Sequence, residues 1–402
     1  MTLGRAWDLV EGLRAAMAEA DRTLTVEAAG AIRRFETVIP AIVLVARSGN
    51  PADALDAIAG IRTLDHVVHR TTDRMIVSYR QTEVEIRLAT PADYGTVLFE
   101  ATGSEDHCRA VLERRKQTMP RPSEELVYAD ARLPWIYPEL RENNGEIEAA
   151  LAGTLPRLLE RRDIRGDLHI HTNWSDGRDS TATMVQACAA LGYEYIAITD
   201  HSQNAMASRT LAAREVALQR EEIEGLRDAH PAMVILHGVE VDILPDGSLD
   251  FPDHLLERFD IVLASLHEDV GHDGARLSER CLAAIRHPLV NVITHPSNQL
   301  PGRRPGYPLD FHAIYAAAAQ TGTALEIDGS PSHLDLDGAH ARAAAQAGVT
   351  LTVDSDCHRA SALERQMRFG LGLARRGWVE AGHVLNTRPI DELLGFLRAK
   401  RL

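Results

Sequence analysis

From Arg165 to the end of the chain, short β-rich runs alternate seven times with helical ones. The β-rich runs are Asp167–Thr172, Tyr193–Thr199, Val234–Val241, Ile261–Leu266, Val290–Thr294, Ala324–Ile327 and Val349–Val353. Between most of them lie Ala-, Leu-, Glu- and Arg-rich stretches, for example Met184–Leu191, Ala212–Ala229, Ala275–Ile285, Phe311–Thr321 and Ala339–Gly348. Strands that alternate with helices are parallel strands joined by crossovers, since a helix carries the chain back to the same edge. This rhythm predicts an α/β fold, a seven-stranded barrel-like domain.

In a parallel barrel the C-terminal strand ends open onto one mouth, where active sites are built. The first run ends in His169-Ile-His171, with Asp176 following, and the second in Asp200-His201. The third ends in Glu240-Val-Asp242, the fourth in Ser265-Leu-His267, the fifth in Thr294-His295 and the sixth in Glu326-Ile-Asp328. The seventh supplies Asp354-Ser-Asp356-Cys-His358. Taken singly, a His at a strand end is most often a hydrogen-bonded structural residue and an Asp there a helix cap. With 18 His in the whole chain, a two-residue strand end should carry one in about a tenth of cases, yet most of these ends do. Side chains alternate with period two along a strand, so His169 and His171 share a face, as a metal site requires.

Nine ligand-type residues converge: His169, His171, Asp176, His201, Glu240, His267, His295, Asp356 and His358. That number exceeds what one ion uses and fits two to three divalent ions with open positions left over. A mixed imidazole and carboxylate set without thiolate suits Mn, Zn or Fe. Clustered ions suit phosphoryl transfer, in which a metal-activated hydroxide attacks phosphorus while the ions hold its oxygens. Glu240, Asp356 and His201 are the candidate catalytic residues. Past His295, Arg303 and Arg304 lie on a Pro- and Gly-rich stretch, and either can pair with a substrate phosphate if the loop reaches the rim. The alternative is a solvated loop charge.

Upstream, residues 1–118 mix helical runs (Trp7–Ala20, Pro51–Arg62) with strand-like ones (Ile42–Ala46, Met75–Tyr79). Residues 119–163 read as a connection, with Pro120, Pro122, Pro134 and Pro138 followed by Asn143-Asn144-Gly145 and a docking helix, Glu146–Arg162. The barrel domain is expected over 164–402. Asp8, Glu11 and Glu19 interrupt the N-terminal region and no run of ~18 apolar residues occurs, so a cytoplasmic protein without a membrane partner is expected. Four scattered cysteines argue for reduced, mostly buried thiols and against a Cys-based zinc site. A formal net charge of −15 argues against a general nucleic-acid coat, because nonspecific affinity comes from Lys and Arg on phosphates.

The strings DLHIHTNWSDG (167–177), ITDHS (198–202), GVEVDIL (238–244), SLHE (265–268), THP (294–296), EIDGSP (326–331) and DSDCH (354–358) resemble, in order and spacing, the polymerase and histidinol phosphatase (PHP) domain. The version fused to bacterial family X DNA polymerases is the most similar. The resemblance implies a distorted (βα)7 barrel and a metal-dependent phosphoesterase. It also implies three ligand groups: His169, His171, Glu240 and Asp356 on one ion; Glu240, His267 and His295 on a second; Asp176, His201 and His358 on a third. Two departures stand out. The usual Gly-Arg after the fifth-strand His-Pro is replaced by Ser297-Asn298, although Gly302-Arg303-Arg304 is kept, and Asp328 occupies a position that is often Asn.

The N-terminal segment resembles the palm and thumb of the same polymerases through GAIRRFETVIPAIVLVA (30–46) and ATGSEDHC (101–108). Two metal-binding Asp of that palm fall on Pro40 and Ile42, and the third on Glu85. The resemblance therefore implies a smaller α+β nucleotidyltransferase-like remnant, truncated upstream and without polymerase activity. It is read as a structural platform, with a surviving DNA-binding role as the alternative. The leading expectation is hydrolysis at DNA 3′ ends (3′–5′ exonuclease or end processing). A small-molecule phosphatase of the histidinol-phosphate or nucleotide type, and a non-enzymatic DNA-repair scaffold, are the competitors.

Overall fold

The computed structural model describes residues 1–116 and 119–401. It divides into two compact units, Met1–Pro156 and the chain from Arg157 onward. The expected boundary at 118 lies outside the described residues, and the observed division falls before the one expected at 163.

The first unit holds a five-stranded mixed sheet built from β1 (Thr25–Ala29), β2 (Ile42–Arg47), β3 (His66–Arg70), β4 (Arg74–Tyr79) and β5 (Thr82–Ala89), in the order β1-β2-β5-β4-β3. β2 and β5 are parallel, with Val43 opposite Glu85. The helix Leu3–Ala20 starts at Thr2, whose hydroxyl accepts the Arg5 N–H, and buries Leu3, Ala6, Val10, Leu13 and Met17 at helical spacing. β3 is exposed along its whole length, so no alternation in polarity marks it as a strand.

The segment expected as a connection is instead part of this unit's core. Ser123 lies so close to Gly95 that a Cβ there would meet its backbone at 2.1 Å. Val127, Tyr128 and Ile136 are fully buried. Glu124 accepts both guanidinium nitrogens of Arg33 at 2.8 Å and also pairs with the fully buried Arg141, which donates to the Ile136 carbonyl at 2.9 Å. Burial opposes ionisation of Glu124, yet Arg33 and Arg141 outweigh it and bring its pKa down to about 2. The expected docking helix is shorter than its sequence range. It runs Glu146–Ala152 and stops at Gly153, whose φ of +68° suits a glycine C-cap.

The second unit is the seven-stranded parallel barrel, β6 (Gly166–Ile170), β7 (Tyr195–Ile198), β8 (Val234–Asp242), β9 (Ile261–Ser265), β10 (Val292–Ile293), β11 (Ala324–Asp328) and β12 (Leu351–Asp354), paired in sequence order. The seam between β6 and β12 has no ladder between the strands themselves. A bridge between Ile170 and Cys357 and the Leu168 N–H on Asp354 at 2.8 Å draw its sides together, so the barrel is nearly closed. Leu168, Tyr195, Leu236, Ile261, Leu263, Val292 and Ala324 fill its interior together with Leu393 and Leu397 of the helix Ile390–Ala399. The four cysteines are free and buried. Among the described residues no helix is long and apolar enough to cross a membrane.

Candidate metal centre at the barrel mouth

The strand exits gather polar side chains at the mouth, some facing the cluster and others bracing it from behind. His169 on β6 and His171 just past its end are both fully buried, and their Nε2 atoms lie 3.0 Å apart. Nδ1 of His169 donates to Glu326 Oε1 at 2.7 Å, which turns Nε2 towards that of His171. Glu240 Oε2 sits 3.3 and 3.4 Å from these two nitrogens, and Asp356 Oδ1 lies 3.1 Å from His171 Nε2. The other oxygen of Glu240 faces His267 Nε2 at 3.3 Å and His295 Nε2 at 3.0 Å. Asp176 Oδ1 is 3.2 Å from His358 Nε2 and 3.7 Å from His201 Nε2. The nine residues thus form one contiguous cluster with Glu240 at its centre. His295 and Asp356, which follow strand exits, adopt φ of +26° and +48°, sparsely populated for non-glycine residues and characteristic of over-determined sites.

Three groups of ligand atoms come close enough to share an ion within this set. They are His171 with Asp176, His201 and His358; His169 with His171 and Asp356; and His201 with Glu240 and His267. His201 reaches Glu240 through Nδ1 at 2.9 Å, so it touches two of the groups expected from the resemblance. The donor set fits divalent ions on physical grounds. Glu240 Oε2 and Asp176 Oδ1 are buried with no hydrogen-bond partner, and imidazole nitrogens face them. Burial pushes His171 down to about 3, assisted by His358 and His201. His169 is buried as well, but Glu326, Glu240 and Asp356 hold it well above the usual imidazole range. Glu240 is held well below the carboxylate range by His201, His169 and His267, against the cost of its burial. Cations in the cluster would satisfy the carboxylates and keep the imidazoles neutral.

Several strand-end acids are framework rather than ligands. Asp200 accepts from the backbone N–H and hydroxyl of Thr172 and from Ser175 and Gln219, which pins the loop that carries Asp176. Asp242 holds Nδ1 of His267 at 2.6 Å. Glu326 and Asp242 therefore orient the candidate ligands His169 and His267 from behind. Sequence reasoning placed these two acids at the mouth without that role. It missed His333 altogether, whose ring stacks on His295 at 4.5 Å.

Asp176, His201, His267, His295, Asp356 and His358 line a cavity of about 340 Å³. Arg304 also lines it, held by the Asn298 carbonyl at 2.8 Å and lying over the Tyr307 ring at 4.7 Å. Arg303 is exposed and is not among the lining residues, so of the two arginines only Arg304 reaches the mouth.

In the first unit, the polymerase-like positions carry no metal-binding geometry. Ile42 is buried in β2 and Pro40 stands just before that strand. Glu85 is occupied by Arg87 at 2.7 Å and Arg74 at 2.9 Å.

A nearly closed parallel barrel with imidazoles and carboxylates gathered at its mouth is the architecture of a PHP phosphoesterase, and residues 167–300 match the PHP domain family. The protein is a metal-dependent hydrolase of phosphoester bonds. It is 35% identical over 390 residues to the DNA polymerase/3′-5′ exonuclease PolX of Bacillus subtilis, a match that covers 92% of this chain and 68% of that protein. The chain belongs to the PolX family. A probable phosphatase of Thermoanaerobacter sp. is 30% identical over 247 residues, covering 58% of this chain and 95% of its own. The crystal structure of histidinol phosphate phosphatase from Lactococcus lactis, complexed with zinc, L-histidinol and phosphate, aligns with a TM-score of 0.42 at 19% identity, over 54% of this chain and 94% of that one.

Proposed function

We propose that the barrel mouth hydrolyses the terminal phosphodiester at a DNA 3′ end, and that the first unit contributes no polymerase chemistry. The observation that carries this reading is the match to the PolX exonuclease, which spans both units, whereas the match to the Thermoanaerobacter phosphatase covers little more than the barrel's length. The nine residues His169, His171, Asp176, His201, Glu240, His267, His295, Asp356 and His358 would hold two to three divalent ions. When bound, such ions supply Lewis acidity to phosphoryl oxygens and lower the pKa of bound water. Glu240 sets the spacing between ligand groups, because its two oxygens face different imidazoles. Glu326 and Asp242 would fix the tautomers of His169 and His267, and Arg304, which lines the cavity, would take a non-bridging phosphate oxygen.

The net charge of −15 and the small cavity favour a second reading, a phosphatase acting on nucleotides or other small phosphate esters. The two separate in one assay. Protein loaded with Mn²⁺ or Zn²⁺ is offered 5′-labelled single-stranded and duplex DNA, mononucleotides and sugar phosphates. Stepwise shortening from the 3′ end supports the exonuclease. Release of inorganic phosphate from monoesters with intact DNA supports the second reading.

A further inference from the structure

One group of side chains at the mouth lies outside the nine-residue set. Asp328 at the end of β11, His333 five residues further on and Asp356 bring ligand atoms to within 4.8 Å of one another. Asp328 is fully buried. Its Oδ1 accepts the Ser330 N–H at 2.5 Å, while Oδ2 is enclosed with no hydrogen-bond partner. Nδ1 of His333 is enclosed and unpartnered in the same way. An ionised carboxylate oxygen enclosed against a second carboxylate and an imidazole nitrogen is costly unless something positive lies between them. No Lys or Arg is paired with Asp328 among the described residues.

We propose that Asp328, His333 and Asp356 form an additional divalent-cation seat, with Asp356 shared between it and the His169–His171 group. This rests on the reading of the mouth as a metal centre and extends its ligand set by two residues. Two carboxylates and one imidazole make a three-ligand set that leaves coordination positions free, and the mix suits Mn²⁺ or Zn²⁺. His333 and Asp356 both line the cavity, so the seat opens onto the space available to a phosphate ester. His333 also stacks on His295 with ring planes 15° apart, which restrains the imidazole.

The test counts ions and does not depend on turnover. Full-length wild type, Asp328→Asn and His333→Phe are stripped with chelator, reloaded with Mn²⁺ alone, dialysed and analysed for bound metal per chain. In parallel, crystals of Mn²⁺-loaded wild type are measured at the manganese edge. The seat predicts one ion fewer in each variant, and an anomalous peak between Asp328 and His333. Phe at 333 keeps the stack on His295, so a lower count there reports loss of the nitrogen ligand even if Asp328→Asn folds poorly. Equal Mn²⁺ content and equal affinity in wild type and His333→Phe, or no anomalous peak at Asp328, overturns the seat. Wild type that carries the extra ion and hydrolyses no phosphoester would overturn the functional reading while leaving the seat intact.

Discussion

Glu326 Oε1 lies 2.7 Å from Nδ1 of His169, and the other oxygen of the same carboxylate accepts the backbone N–H of His295 at 2.8 Å. One side chain on β11 therefore sets the ring orientation of a candidate ligand on β6 and the backbone of a candidate ligand after β10. Glu326→Gln removes the charge that favours the Nδ1–H tautomer while nearly keeping the volume. Metal affinity is expected to fall about 10- to 100-fold, with far-UV circular dichroism unchanged. Titration of chelator-stripped protein with Mn²⁺ reads the effect directly, and unaltered affinity would show that Glu326 is not a positioning residue.

Replacing His169 and His171 together by Ala takes away the two nitrogens whose Nε2 atoms converge at 3.0 Å. Bound metal should drop by at least one ion, and phosphoesterase activity should fall below about a hundredth of wild type. Full metal content with full activity in a folded double variant would refute the ligand set.

Among the described residues that line the cavity, Arg304 alone carries a permanent positive charge, and its guanidinium is held in advance by Asn298 and Tyr307. Arg304→Ala should raise KM roughly tenfold, the equivalent of one charge-assisted hydrogen bond of ~1.5 kcal/mol, with a smaller effect on kcat. Arg303→Ala should change neither. Steady-state kinetics on the best substrate from the panel checks both, and equal effects of the two changes would mean that the loop acts only through its net charge.

Glu124 gives the first unit a pH dependence whose sign is fixed. Its pKa is about 2 in the folded chain, against an ordinary 4.5, so the folded state binds fewer protons than the unfolded state between those values. The stabilisation is complete above pH 4.5 and is lost as pH falls towards 2, on the order of 3 kcal/mol in all. Amide hydrogen exchange of the helix Glu124–Asp130 should quicken over that range in wild type. In Glu124→Gln the helix should exchange faster at neutral pH, because Arg141 is left buried without its partner, and it should show a flatter acid response. A wild-type profile as flat as that of the variant would contradict the assignment.

The parts of this chain legible in its sequence are those governed by local periodicity. Alternation along β6 placed His169 and His171 on one face, and the strand-helix rhythm located all seven barrel strands. What stayed hidden depends on partners far away in sequence. Asp200 and His201 are adjacent, yet one anchors a loop and the other faces the cluster, because Thr172, Ser175 and Gln219 claim the first. The prolines of 119–145 suggested a connection. The core role of that segment comes from Glu124 joining Arg33 to Arg141, a pairing with no local signature. His333 sits on a loop with no spacing motif, and only its proximity to Asp328 and His295 in space marks it.

Nucleotidyl transfer needs carboxylates that hold two ions between the triphosphate and the primer 3′-oxygen, since the protein supplies mainly positioning and charge neutralisation. At the palm-like positions, Pro40 and Ile42 offer no side-chain oxygen. Glu85 stands opposite Val43 on the parallel β5, and both its oxygens are engaged by guanidinium groups, Arg87 on one and Arg74 on the other. A carboxylate so paired must give up two charged partners before it can bind an ion, and even then it is alone. Template-dependent incorporation of a labelled nucleotide by purified protein is therefore expected at background, with Mn²⁺ or Mg²⁺. Releasing Glu85 through Arg74→Ala and Arg87→Ala should not create activity. Incorporation by wild type that disappears in Glu85→Ala would mean that the palm site survives with ligands other than those matched here.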